Sequence, residues 1–223
     1  MSPRRIFFAE FLKKFLWSLA LAAWTFASTR SAGAEESAPQ ETEPPPQVRR
    51  WFVEQNWERD PGPIVSLGQQ GEFDDMHLFA PCVARHDGRY LLYYCGARGA
   101  VADRVCRLGL ATSADGVRFA KVKDNPIYAF GDDRHSILTP TLLREPGGDL
   151  LLENGQWKMW FSSTHFAGAS GRHALHLTTS NDGRNWSEPS GPLLENVYAP
   201  TMIKEDGDDG MYRMWFTDVG SEP

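Results

Sequence analysis

The sequence has little cysteine, and this scarcity limits what can hold the protein together. Three cysteines, Cys82, Cys95 and Cys106, occur among 223 residues. An odd count of three does not make the disulfide framework of a small secreted domain, and the spacings match no zinc pattern. Cys82 and Cys95 fall on neighbouring predicted strands, so a bridge between them and buried free thiols both stay open. We expect no metal site and no cofactor.

Long apolar runs are also scarce, and the clearest one lies near the start of the sequence. Residues 15–27 are mostly apolar, basic pairs precede them, and a small-x-small sequence ending at Ala34 follows. This order predicts a cleavable signal peptide at residues 1–34 and a secreted or periplasmic protein. A membrane anchor is the alternative, but the run is shorter than the ~20 residues that a spanning helix needs.

Positive charge becomes scarce once this leader is removed. The chain carries 23 basic and 29 acidic residues; the leader holds five of the basic ones and one acid, which leaves 18 and 28 and a formal charge of −10. Such a chain repels nucleic acid and anionic lipid, so we expect neither nucleic acid nor a membrane as a partner of the mature protein. Neutral substrates and cations suit it better.

Residues 35–50 follow the leader and show no apolar periodicity. They are acidic and rich in proline, a composition typical of a disordered linker. We therefore expect the folded domain to occupy residues 51–223.

The predicted domain repeats one pattern three times. The segment Phe73–Gly96 begins with two acids, runs through apolar residues to a proline, turns at polar residues and ends in an aromatic strand. The pattern recurs at 131–163 and 195–218, and its prolines at positions 81, 140 and 200 are 59 and 60 residues apart. So regular a period indicates a repeat architecture.

Each full repeat continues through two further short strands. A Ser-x-Asp-Gly turn occurs at residues 113–116 and again at 180–183, and a short apolar piece follows each turn. Four strands joined by Gly-containing turns are typical of a β-propeller blade. We expect an all-β fold with blades at about 73–130 and 131–194 and half of a third blade.

Residues 57–68 match the last strand of a repeat but have no repeat ahead of them. They predict an orphan outer strand, of the kind that closes a propeller by joining its last blade. Two and a half blades cannot close a ring that needs at least about four. Either the sequence is a fragment of a longer protein, which we expect, or several copies of the chain assemble.

Carboxylates precede each of the three predicted innermost strands, which line the channel of a propeller. They are Asp74, Asp75, Asp132, Asp133 and Glu195. Glycosidic cleavage needs one carboxyl group to protonate the leaving oxygen and another to attack or to activate water, and a third can raise the pKa of the acid. His77 and His135 follow the doubled acids, and we expect both to bond sugar hydroxyls.

Several motifs of this pattern are shared with a known superfamily. They are the strand starts APCV, TPTLL and APTMI, the strands YLLYYCG, WKMWFSS and YRMWFTD, and the turns TSADGVRF and TSNDGRNW. Over about residues 57–218 the chain resembles the five-bladed propeller glycosidases, the arabinanase, levansucrase and invertase superfamily (glycoside hydrolase families 43, 32 and 68). The resemblance implies a partial five-bladed propeller and cleavage of glycosidic bonds.

The resemblance also implies roles for the acids. A first-blade Asp, Asp75 or Asp74, would be nucleophile or base, and a second-blade Asp, Asp133 or Asp132, would modulate a pKa or stabilise the transition state. Glu195 would be the acid. The remaining members, Asp74, His77, Asp132 and His135, would bind substrate.

The sequence also departs from the pattern of this superfamily. Cys82 stands where related arabinanases have the acid of an Ala-Pro-Asp sequence, and Glu195 lacks the doubled acid and histidine of the other blades. An open alternative for the Asp pairs is that they cap turn amides. Two functions therefore stand: an exported glycoside hydrolase, and a carbohydrate-binding or scaffold propeller, or inactive fragment, without catalysis.

Overall fold

The computed structural model describes residues 43, 46–49, 52–100, 104–132, 134–165, 172–189, 191–205 and 210–220. The predicted signal peptide and most of the predicted linker lie outside these residues, as does Asp133. Within the described ranges, no helix has the length and apolar character needed to cross a bilayer.

The chain divides into two compact units between Trp57 and Glu58. The described part of the first unit contains the short helix α1 (Pro46–Arg49). An exposed ion pair joins the Arg49 guanidinium to the Glu43 carboxylate at 2.6 Å. The second unit holds the strands and the predicted site residues.

The second unit is built from antiparallel β-sheets. Two sheets have four strands each, in the orders β1-β2-β3-β4 and β5-β6-β7-β8, and β9 pairs with β10. The strands are β1 (His77–His86), β2 (Arg89–Ala97), β3 (Arg107–Ser113), β4 (Ala120–Lys121), β5 (His135–Leu142), β6 (Trp157–His165), β7 (Ala174–Ser180), β8 (Leu194–Glu195), β9 (Val197–Lys204) and β10 (Tyr212–Asp218). Each four-stranded sheet is a meander of the kind found in propeller blades. The prediction of two full blades and half of a third is confirmed.

The inner strands β1, β5 and β9 share one distortion around a proline. Each has an extra residue relative to its partner strand, which makes a β-bulge. The shifts in register fall between Phe79 and Cys82, between Leu138 and Thr141, and opposite Trp215 and Thr217. The residues before the prolines have left-handed backbones: Ala80 (φ 51°), Thr139 (φ 48°) and Ala199 (φ 51°). Pro81, Pro140 and Pro200 therefore occupy equivalent positions in consecutive blades.

Residues 58–68, where the sequence predicts most of an orphan outer strand, form no strand. Such a strand pairs with the last blade of a ring, and the described residues include no such blade for it to join. The segment is nevertheless attached to the first blade, because Val65 packs against the cluster that contains Phe73 and Leu92.

Buried side chains fill the spaces between consecutive sheets. The largest cluster joins the first sheet to the second and includes Tyr93, Trp157 and Phe161. A second cluster, with Trp160 and Met202, joins the second sheet to β9 and β10. This face-to-face packing of successive sheets places their inner strands side by side.

The three cysteines are buried and free. Cys82 lies opposite Tyr93, and Cys95 lies opposite Phe79 on the other side of the β1 bulge. Of the two alternatives, the structure therefore shows free thiols. Burial raises the pKa of each thiol.

Candidate functional site

The bulges of β1, β5 and β9 meet at an open cleft of about 260 Å³. Ten residues line this cleft, and nine of them form three equivalent triplets, one from each strand. The nine are Ala80, Pro81, Cys82, Thr139, Pro140, Thr141, Ala199, Pro200 and Thr201, and the tenth is Arg144. Arg144 is the one charged residue in this lining, and its Nη1 donates to the carbonyl oxygen of Val83 at 2.9 Å. Because three inner strands converge on it, we call it the axial cleft.

The residue after each proline has the same place in the axial cleft. Cys82, Thr141 and Thr201 lie opposite Tyr93, Trp160 and Trp215. None of the three is acidic. The residue after the bulge proline thus offers a thiol or a hydroxyl in every described blade.

A second cavity, of about 310 Å³, is lined from both strands and loops. Phe79, Leu138 and Tyr198, each two residues before a bulge proline, line it together with Arg104 and His173. His173 Nδ1 is buried without a hydrogen-bond partner, and burial lowers the pKa of this histidine. Aromatic walls with a few nitrogen donors or acceptors suit a small polar ligand such as a sugar. We call this space the loop cavity.

Asp74 is enclosed at the start of the first blade. Its side chain is 1% exposed, and Oδ2 lies 2.6 Å from the Lys121 ammonium. The same oxygen accepts a hydrogen bond from the Tyr94 hydroxyl at 2.9 Å. Lys121 lies on the outermost strand β4, so the carboxylate ties the start of β1 to the outer part of the blade. Enclosed in this way, Asp74 is not placed to bind a substrate.

Asp75 and His77 each carry a buried polar atom without a partner. Asp75 Oδ2 accepts the Gly71 N–H at 2.7 Å, whereas Oδ1 has no hydrogen-bond partner. His77 is the first residue of β1, and its Nε2 is also buried without a hydrogen-bond partner. A buried polar atom left unpaired costs about 1–3 kcal/mol, and such atoms call for a ligand, a water or a catalytic role.

Asp132 and His135 contact each other at the start of the second blade. Asp132 Oδ1 accepts the N–H groups of Arg134 and His135 at 3.0 Å each, and Oδ2 contacts His135 Nδ1. The backbone N–H of His135 is the largest of the effects that hold the pKa of Asp132 well below its usual range. This carboxylate therefore caps a turn and also orients an imidazole.

His77 and His135 are not equivalent, although each follows a doubled acid. The pairing of β1 with β2 and of β5 with β6 aligns His77 with Ser136, one residue after His135. Successive strand residues point to opposite faces of a sheet. The two imidazoles therefore lie on opposite faces of their blades, and the two Asp-Asp-x-His motifs do not place them equivalently.

Glu195 is exposed at the end of the outermost strand β8, where it pairs with Ala174. In the described chain no hydrogen bond or ion pair joins it to Asp75. Burial, and then the nearby His135, lower the pKa of His176, and the charge of Glu195 partly offsets this shift.

No protein-family model matches the sequence of this chain. Two curated relatives, uncharacterised proteins from two strains of Mycobacterium tuberculosis, are 27% identical over 172 residues, or 72% of this chain. The matched region is 54% of each relative, so the chain spans about half the length of the curated relatives it matches.

Solved structures are similar to the chain in fold. A β-fructofuranosidase of glycoside hydrolase family 32 from Bombyx mori is 20% identical over 68% of this chain and 31% of its own, with a TM-score of 0.52. A structure from Bacteroides ovatus, described as that of a glycoside hydrolase, is 19% identical over 74% of this chain and 54% of its own, with a TM-score of 0.53. In its described residues the chain has part of the five-bladed propeller fold of these glycoside hydrolases.

A third structure with this propeller glycoside hydrolase fold represents a different family. It comes from family 130, described as a family of mannoside phosphorylases that contains glycoside hydrolases targeting β-1,2 mannosidic linkages in Candida mannan. It is 20% identical over 74% of this chain and 55% of its own, with a TM-score of 0.52. At these identities the likeness extends to the fold alone.

Sequence reasoning missed three side chains that the packed blades bring into the candidate sites. His165 lies directly opposite His135 across β5 and β6, and Arg104 and His173 line the loop cavity. The long connection between β5 and β6 and the bulge in β5 conceal the register that pairs His165 with His135. No pattern marks Arg104 or His173, because both lie in loops whose course is set by the packed blades.

Proposed function

We propose that the protein is an exported, glycoside hydrolase-type enzyme that cleaves glycosidic bonds in a poly- or oligosaccharide. The observation that carries the proposal is the pair of unpartnered buried atoms, Asp75 Oδ1 and His77 Nε2, at the start of an inner strand. The propeller glycoside hydrolase fold supports it. The acidic mature chain favours a neutral substrate such as a sugar.

Asp75 is the strongest candidate for the reacting carboxylate. One of its oxygens is fixed by the Gly71 N–H and the other has no partner. A carboxylate with one oxygen fixed by a hydrogen bond and the other unpaired keeps that second oxygen for an anomeric carbon or a water. His77 Nε2 supplies a neighbouring group for a sugar hydroxyl.

The rest of the acid set follows from the same proposal. Glu195 acts as the acid, and Asp133, outside the described residues, supports it as the second-blade carboxylate. Asp132 and His135 contact substrate at the start of the second blade. The separation of Asp75 and Glu195 would decide the stereochemistry, because carboxyl groups about 5 Å apart retain the configuration and those about 6.5–9.5 Å apart invert it.

A specific observation favours the second candidate, a propeller that binds carbohydrate without cleaving it. The axial cleft is lined by threonines, prolines, a thiol and Arg144 and by no carboxylate. Such a lining offers hydroxyls and one guanidinium to a sugar but no acid–base pair.

Asp75 is tested by assaying the full-length chain against a panel of aryl glycosides. Asp75→Asn keeps the size of the side chain and the hydrogen bond to Gly71 but removes the reacting charge, so we expect activity to fall at least about 100-fold. Asp87→Asn is the matched control, because Asp87 lies in the exposed turn between β1 and β2. Equal rates for the Asp75 variant and the wild type would exclude its role.

The second candidate function has its own measurement. Calorimetric binding of an oligosaccharide by the wild type, without turnover, would establish it.

Export is a separate part of the proposal and has its own measurement. Expressed in a bacterium with its leader, the protein should appear outside the cytoplasm with Glu35 as its first residue, because cleavage is expected after Ala34. Intact-mass spectrometry distinguishes this from a retained leader, which would contradict the proposal.

A further inference from the structure

A cluster of three potential metal ligands lies at the start of the second blade, separate from the axial cleft. Asp132, His135 and His165 each offer one ligand atom, and these atoms all lie within 4.8 Å of one another. They come from the turn before β5, the first residue of β5 and the last residue of β6. Three segments of backbone therefore position the cluster.

The two histidines face each other because of the strand register. His135 pairs with His165 across β5 and β6, so their side chains lie on the same face of the sheet. Their ring centroids are 3.6 Å apart. At this separation both rings can offer a nitrogen to the same cation.

The surroundings of the cluster are closed on one side and open on another. The Phe130 ring lies 5.3 Å from the His135 ring, and it packs onto Phe161 of the inter-sheet core. The side chains of His135 and Asp132 are 37% and 44% exposed. An ion would therefore have an apolar wall behind it and access for water ligands in front.

Asp132 suits either of two roles toward a bound ion. Its Oδ1 is occupied by the two backbone N–H groups, and its Oδ2 contacts His135 Nδ1. It can ligate directly through Oδ2, or it can accept the Nδ1 proton and orient His135 so that Nε2 ligates. A carboxylate behind a ligating histidine is a common arrangement around zinc.

We propose that Asp132, His135 and His165 form a binding site for a divalent first-row transition metal ion, with Zn²⁺ as the probe. Imidazole nitrogens with a carboxylate suit Zn²⁺ and its neighbours rather than Mg²⁺ or Ca²⁺, which prefer oxygen ligands. The site shares Asp132 and His135 with the substrate contacts proposed above, but its test measures metal binding and needs no hydrolase activity. The sequence argument against a zinc site concerned cysteine ligands, and this site contains no cysteine.

The test is a calorimetric titration of the full chain, purified without a histidine tag and stripped of metal with a chelator. We expect about one equivalent of Zn²⁺ to bind, and Co²⁺ to give a visible absorption band from nitrogen and oxygen ligation. His165→Ala should abolish binding, and Asp132→Asn should weaken it about 10–100-fold. His86→Ala is the matched control, because His86 is the last residue of β1 and is not part of the cluster. This variant should bind Zn²⁺ as the wild type does.

Each outcome decides the proposal. No binding by the wild type, or equal binding by His165→Ala, would overturn it. If His165→Ala fails to fold by circular dichroism, His165→Gln replaces it. A measurement on the wild type alone also serves: Zn²⁺ should protect His135 and His165, but not His86, from acylation by diethylpyrocarbonate, as read by peptide mass spectrometry. Unprotected His135 and His165 would contradict the site.

Discussion

Asp74 shows how a single carboxylate can hold the start of a blade. It accepts a hydrogen bond from the Tyr94 hydroxyl and pairs with Lys121, and burial together with this hydrogen bond raises the pKa of Tyr94 above its usual range. Gly96 makes the approach possible, because a Cβ there would lie 2.5 Å from the Asp74 Cβ. The residue is therefore part of the packing, while its neighbour Asp75 keeps an unpaired oxygen.

Removing the charge of Asp74 should destabilise the fold. Breaking a buried ion pair costs about 3–5 kcal/mol, and because Lys121 is 25% exposed we expect Asp74→Asn to lose about 3 kcal/mol, at the low end of that range. The measurement is urea unfolding followed by tryptophan fluorescence. Adding Lys121→Met should recover part of the loss, since the unpaired ammonium is then gone.

The control for this prediction is Asp87→Asn, whose side chain is 88% exposed and which should stay within about 0.5 kcal/mol of the wild type. A loss at Asp74→Asn no larger than that of the control would show that the pair contributes nothing to stability.

At the scale of elements, the Ser-x-Asp-Gly turn between the third and fourth strands is the same device in both full blades. In the first, the Ser113 hydroxyl accepts the N–H of Gly116 at 2.9 Å, and Asp115 Oδ1 accepts those of Val117 and Arg118 at 2.9 and 2.8 Å. In the second, Ser180 and Asp182 make the corresponding bonds. A side chain that satisfies successive turn amides fixes the direction in which the outer strand leaves.

The turn predicts a pH dependence of stability. The backbone N–H of Arg118, then that of Val117, lower the pKa of Asp115 from 3.8 to about 2. A carboxylate with a lowered folded pKa adds stability above its unfolded pKa, and this is lost as the pH falls through the folded value. Asp115→Asn keeps the acceptor oxygen without the titration. We therefore expect its free energy of unfolding to fall less steeply between pH 4 and pH 2.

Chemical unfolding at several pH values measures this effect, with Asp87→Asn as the matched control in an exposed turn. Parallel pH profiles for the wild type and Asp115→Asn would show that the turn carboxylate does not couple stability to pH.

At the scale of the whole molecule, the half blade of β9 and β10 leaves apolar surface exposed. Trp215 and Phe216 are adjacent on β10 and therefore point to opposite faces, yet they are 56% and 47% exposed. Ile203 and Met211 add to this surface. β10 also has β9 as its only strand partner in the described chain, which leaves a free strand edge. Exposed apolar faces and free edges promote association between chains.

We expect this 223-residue chain to self-associate as its concentration rises, and Trp215→Lys to reduce this association. Sedimentation velocity at increasing concentrations measures the average mass. Val117→Lys is the control, because Val117 is an equally exposed apolar residue in a turn, at 61%. If both lysine variants lower the average mass equally, net charge rather than the half-blade surface controls association.

The architecture of this protein was open to prediction because it is written in local patterns. A proline every 59 or 60 residues marked the inner strands, and the two Ser-x-Asp-Gly turns marked the hairpins. Each pattern acts within a few residues: a proline next to a bulge, or a side chain that bonds the amides beside it. The outer strand at 57–68 was the exception, since its partner strand belongs to the last blade of a ring and lies outside the described residues.

The candidate sites depended on contacts between distant residues, which no local pattern records. One feature of the sites was nevertheless local: His77 lies four residues before Pro81 and His135 five residues before Pro140, so the two side chains lie on opposite faces. Packing enclosed Asp74 against Lys121 and left Asp75 Oδ1 without a partner. Pairing across β5 and β6 brought His165 to His135, because a strand's neighbours are chosen by the sheet and not by the sequence around it.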